Sequence, residues 1–215
     1  MAIDRLQARL QSIYEIETGH AVGDFLVSDE AVKNRLSGQS SQLRETVFVS
    51  ESREHLDITV YLHADIVSHL LDENPEQGLH SGNVEDFCLA TEGISHFLKL
   101  VWHGENDRSV SLIELELQAE IDKFVLMHMY SCEQMSPVKS REIRKLLFDT
   151  ADFHGDLQMQ ELERYQCANH YAGKYCRALE RRYINRDDRS QMLKELRRFY
   201  RLPLADKLRR INALN

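Results

Sequence analysis

Apolar residues recur at helical spacing along most of the chain and alternate with polar ones over one short stretch. Ile3, Leu6, Leu10 and Ile13 mark a first helix that Gly19 closes. Ser28 caps a short helix over 28–36, and residues 37–41 read as a loop. The alternation lies at 56–62, with Leu56, Ile58, Val60 and Leu62 facing inward and Asp57, Thr59 and Tyr61 outward. Residues 46–50 supply a partner strand, and 51–55 the hairpin loop between them. A lone hairpin is marginal in water, so it must rest on helices or gain a third strand, for which residues 20–26 are the candidate.

Helical spacing returns at 64–71 and stops at Asn74-Pro75. Two long helices follow. Asn83 is a suitable N-cap for one that runs to His103-Gly104. Ser111 and Glu114 have capping-box spacing for one that runs to Tyr130. The short polar connection at 105–108 predicts that the two are antiparallel neighbours. Further helices are expected over 140–151, 156–183, 189–201 and 204–214, the last two split by Pro203. The fold class is therefore α+β and predominantly α-helical: a central antiparallel helix pair within a helical bundle, with a small N-terminal β-hairpin or three-stranded antiparallel sheet. Residues 1–155 form an acidic α+β core domain, and 156–215 a basic C-terminal helical segment packed on it as one domain.

Charge changes this picture more than bulk composition does. The net charge of -8 hides an asymmetry: residues 161–215 hold 14 Lys and Arg against 7 Asp and Glu, whereas residues 1–160 hold 13 against 28. Such a distribution suits either docking of the basic tail on acidic partners within the chain or a basic surface for an anionic partner. With 9 Gly and 3 Pro in 215 residues, low-complexity and collagen-like classes are excluded. No apolar run reaches the ~18 residues that a membrane span needs. The acidic N-terminus lacks the apolar stretch of a secretory signal. Cys88, Cys132, Cys167 and Cys176 contain no C-x-x-C pair, so free thiols and a cytoplasmic location are expected, with no cofactor and no metal.

Two constellations can carry chemistry. In the helix beginning at Val84, Glu92, His96 and His103 form one polar stripe, and Glu116 and Glu120 sit a turn apart on the next helix, which is apolar over most of its circumference. Converging, Glu92, His96, Glu116 and Glu120 would make a carboxylate–histidine site that ligates a metal or acts as an acid–base pair. Otherwise they are ordinary helix pairs, because the Glu-x-x-His spacing of di-metal bundles and the H-E-x-x-H motif are both absent. The second constellation is basic. His170, Lys174, Arg177 and Arg181 form a stripe with Tyr171 and Tyr175 beside it, and Arg197, Arg198 and Arg201 extend it. Cations interleaved with aromatic rings can hold phosphates and stack bases.

Arg164 and His170 also resemble the Arg-x(4–6)-His pattern of HEPN ribonucleases, all-helical proteins in which Arg and His act on an RNA phosphodiester. The resemblance covers one helix; Tyr165 stands where a polar residue is usual, and the hairpin is a second departure. The residues together point to a non-enzymatic binding or adaptor protein whose basic C-terminal surface meets nucleic acid or an acidic protein. The alternatives are a hydrolase or ribonuclease using one of these sites, and a structural scaffold forming a homo-oligomer.

Overall fold

A computed structural model of the chain describes residues 2–35, 43–51, 56–134, 138–149 and 158–214. Among the described residues there are nine α-helices and one three-stranded sheet, so the chain is α+β and predominantly helical. The expected loops at 37–41 and 51–55 lie wholly or largely outside the described residues, as do the end of the helix expected over 140–151 and the start of the one expected from 156. The chain forms two compact units, residues 1–10 with 16–109 and residues 11–15 with 110–215. The basic segment 156–215 lies wholly in the second unit.

In the first unit, α1 (Ala2–Tyr14) contributes Ile3, Leu6 and Leu10, all buried. Strands β2 (Glu45–Glu51) and β3 (Leu56–Leu62) pair antiparallel with Val47 opposite Val60. The third strand is shorter than expected and runs the other way. Only β1 (Leu26–Val27) pairs, and it is parallel to β3, so the sheet is mixed with order β1-β3-β2. The reason lies in α1: the Gln7 amide donates to His20 O at 2.8 Å and accepts from Val22 N at 2.8 Å. These are backbone groups that a ladder would use, and residues Val22–Phe25 coil into a 3-10 turn instead.

The two-sided pattern expected for β3 also fails at its end. Val60, Tyr61 and Leu62 are all buried, whereas Leu56 is exposed. As the central strand, β3 is covered on both faces there, and the Tyr61 hydroxyl bonds to Asp29 at the start of α2 (Asp29–Arg35). Helix α3 (Ala64–Asp72) and the long α4 (Val84–Glu105) complete this unit. A Cβ on Gly93 would lie 3.2 Å from Glu45 Oε1 and 3.4 Å from Leu62, so glycine lets α4 lie close on the sheet. Asn83 does not cap α4 with its side chain. It is fully buried, accepting from His80 N at 3.0 Å and donating to Gly78 O at 2.8 Å, which fastens the preceding loop.

The second unit is helical. Helix α5 (Leu112–Glu133) is buried on nearly every side, as its apolar circumference predicts. It packs most extensively on α7 (Met159–Arg182), and the two helices expected as a central pair, α4 and α5, belong to different units. Helix α6 (Ser140–Arg144) passes into a π-helical turn at Lys145–Asp149. Helices α8 (Arg189–Tyr200) and α9 (Leu204–Leu214) finish the chain. The Ser111–Glu114 capping box does not form. Glu114 instead meets Lys207 Nζ at 2.9 Å, with both side chains buried. Around them lies an aromatic and polar core: Tyr14 stacks on Tyr200 at 4.3 Å, Tyr175 stacks on Phe199 at 3.9 Å, and the Tyr14 hydroxyl donates to Asp122.

Candidate anion-binding site

The basic stripe of α7 meets the π turn. A cleft of about 330 Å³ is lined by Arg144, Phe148, Asp149, Asn169, His170, Gly173, Lys174 and Arg177. Among the described residues, two guanidinium groups, an ammonium and an imidazole therefore share one hollow with the Asp149 carboxylate. The turn is seated by two features of α7. Asn169 Nδ2 donates to Leu147 O at 3.2 Å, taking up a carbonyl of the π turn. Gly173 leaves room for Phe148, whose Cβ and Cγ would lie 3.3 Å from any Cβ placed there. The π turn widens the helix locally and turns Phe148 toward α7.

Arg144 is oriented from behind. Its Nε lies 3.3 Å from Glu180 Oε2, and the other oxygen of that buried carboxylate accepts from Ser140 Oγ at 2.7 Å. One guanidinium edge is thus anchored while the group lines the cleft, a charge-assisted arrangement that fixes its direction. Lys174 Nζ stands 5.8 Å from the centre of the Tyr171 ring, and His170 meets the same ring edge-on at 5.5 Å. Among the described residues, neither Lys174 nor Arg177 has a carboxylate within ion-pair distance. Arg181 follows one turn later and lines an open, shallow surface with Arg182, Tyr183 and Arg186, so the positive face continues to the end of α7.

The remaining basic residues have other surroundings. Arg197 Nε donates to Ile13 O at 3.0 Å, and its Nη1 meets Glu15 at 2.6 Å. Arg201 donates to Tyr14 O and Glu15 O, each at 2.9 Å. These two arginines cap the C-terminal carbonyls of α1, which a helix leaves without partners, and are committed there. Arg198 is exposed.

Arg164 lies 3.5 Å from Glu116 Oε1 and is not among the residues lining the cleft that holds His170. Glu120 pairs with Lys123 at 2.8 Å. Glu116 and Glu120 thus each have a cation partner.

Sequence spacing identifies His170, Lys174 and Arg177 but not Arg144 or Phe148. These come from a different helix, and no local pattern announces a π turn. No described helix is long and apolar enough to cross a membrane. Comparison of the chain with family models, with curated proteins and with solved structures finds no match.

Proposed function

We propose that the protein binds the phosphate backbone of a nucleic acid at the α7 cleft, without cutting it. The observation that carries this reading is the gathering of Arg144, His170, Lys174 and Arg177 in one hollow. Lys and Arg side chains gain most of their affinity for nucleic acid by releasing counterions condensed on phosphates. The Tyr171 ring beside Lys174 and His170 offers a face on which a base can stack, which favours a nucleic acid over an acidic protein.

The test is binding of labelled mixed-sequence single-stranded RNA across a salt series. Log affinity should fall linearly with log salt, and changing Lys174, Arg177 and Arg181 together to Ala should reduce that slope by about 2, at about 0.7 for each lost phosphate contact. Unchanged affinity and slope in the triple variant would remove the assigned surface. Equal binding of an acidic polypeptide would move the reading to a protein partner.

A second reading rests on the position of His170. An imidazole among guanidinium and ammonium groups can serve as base or acid toward a phosphodiester they hold. RNA recovered from the titration separates the two: intact strands support binding alone. Cleavage that His170→Ala abolishes supports a ribonuclease.

A further inference from the structure

An aromatic side chain stands among the cations of the α7 cleft. Phe148 is half-buried: it lines the hollow with Arg144, His170, Lys174 and Arg177, while its ring centre stands 6.4 Å from that of the fully buried Phe124. Glycine in the interior of a helix is unfavourable, yet Gly173 lies well inside α7. A Cβ there would lie 3.3 Å from both Cβ and Cγ of Phe148 and 3.7 Å from Cδ1. The helix thus gives up a side chain where Phe148 is seated. A ring backed by protein on one side and lining a cleft on the other is a platform for a second flat group.

Asp149 departs from what phosphate alone requires. It is exposed and lines the same hollow, and its carboxylate repels a phosphate that the cations attract. A carboxylate does accept from N–H groups on the Watson–Crick edge of a base. In a duplex that edge is occupied by the pairing partner, and the base faces are stacked on their neighbours. Edge and face are both open only in an unpaired base splayed out of its strand.

We infer that the cleft takes an unpaired base of a single-stranded nucleic acid, in preference to a duplex. Phe148 is the stacking platform, Asp149 accepts from the base edge, and the surrounding cations hold the flanking phosphates. This rests on the α7 cleft being the nucleic-acid site. The volume of about 330 Å³ lies within the range of pockets that enclose small ligands.

Electrostatics alone gives the opposite preference. A duplex carries one negative charge per ~1.7 Å of its axis, and one of its strands only half that density. A surface that merely gathers phosphates therefore binds the duplex more tightly, and preference for the single strand needs the base.

The test is binding of a labelled mixed-sequence single-stranded RNA and of its blunt duplex, each across a salt series. The single strand should bind at least about tenfold more tightly. Phe148→Leu keeps an apolar side chain against Gly173 and should weaken single-strand binding about fivefold or more. Its slope of log affinity against log salt should stay that of the wild type, because stacking releases no counterions, whereas Lys174→Ala should lower the slope. Phe148→Tyr, which keeps the ring, should bind as the wild type does. Asp149→Ala should weaken the single strand too, although it removes a charge that repels phosphate. Asp149 is exposed, so this variant tests the site even where Phe148→Leu lowers stability, which circular dichroism checks. Tighter binding of the duplex, affinity indifferent to Phe148→Leu, or a gain with Asp149→Ala overturns the inference and leaves the phosphate-binding surface standing. Absence of salt-dependent binding to either form removes both.

Discussion

On α8, at its C-cap and on α9, Arg197, Arg201, Lys207 and Arg210 direct their charge at the protein itself: two at the end carbonyls of α1, one at buried Glu114, one at Glu195 through bonds of 2.9 and 2.6 Å. On α7, His170, Lys174 and Arg177 line a hollow with Arg144 and the Asp149 carboxylate. Both groups lie within the same basic segment, and its surplus of cations is therefore divided by position. Cations facing the unit's interior or a helix end hold the fold, and those facing the π turn make a surface. Net charge alone predicts neither use.

The sharpest way to break this division is Lys207→Ala. It leaves the Glu114 carboxylate buried without that ammonium, and stability should fall by about 3–5 kcal/mol in urea unfolding. The double change Lys207→Met with Glu114→Leu should recover most of it, because two matched apolar side chains need no desolvated charge. A single variant as stable as the wild type would mean that the pair is not buried in solution.

Next comes the core that the interior cations surround. Burial foremost holds the Tyr14, Tyr175 and Tyr200 hydroxyls well above their ordinary range, with Asp122 adding to the rise at Tyr14 and Tyr200 and Glu195 at Tyr175. The unfolded chain releases these protons near pH 10 while the folded chain keeps them. Stability is thus fully present below about pH 10 and lost above it, at up to about 4 kcal/mol per pH unit for three groups. Alkaline unfolding followed by circular dichroism should be steep, and Tyr175→Phe should make it shallower. An identical slope in that variant would contradict the assigned burial.

A smaller loss, about 1–2 kcal/mol, is expected for Arg201→Ala, which frees two carbonyls at the end of α1 for water to satisfy. Its affinity for RNA should be unchanged. The smallest stability effect belongs to Lys174→Ala with Arg177→Ala, within about 0.5 kcal/mol of the wild type because both are surface substitutions. That pair should nonetheless weaken RNA binding, while Arg201→Ala should not. Reversal of this pattern would erase the distinction between the two sets of cations.

Much of this was visible in the residues. The helical stripe through His170, Lys174 and Arg177 follows from spacing alone, and β3 and α9 fall where periodicity puts them. The third strand did not, because Gln7, more than ten residues away in the chain, takes the backbone groups of His20 and Val22. The pairing of Glu114 could not be read either: its spacing from Ser111 fits a capping box, but Lys207, 93 positions further on, is the partner it finds.

The order of residues by itself determined which faces of each helix are apolar, where the chain alternates, and that positive charge collects at the C-terminal end. These are properties of one element at a time, set by the 3.6-residue and two-residue repeats of the backbone. Tertiary structure alone decided which cations were neutralised and which were left to line a surface. That choice depends on groups brought close across long stretches of chain, and at a few ångströms a buried partner outweighs any local pattern.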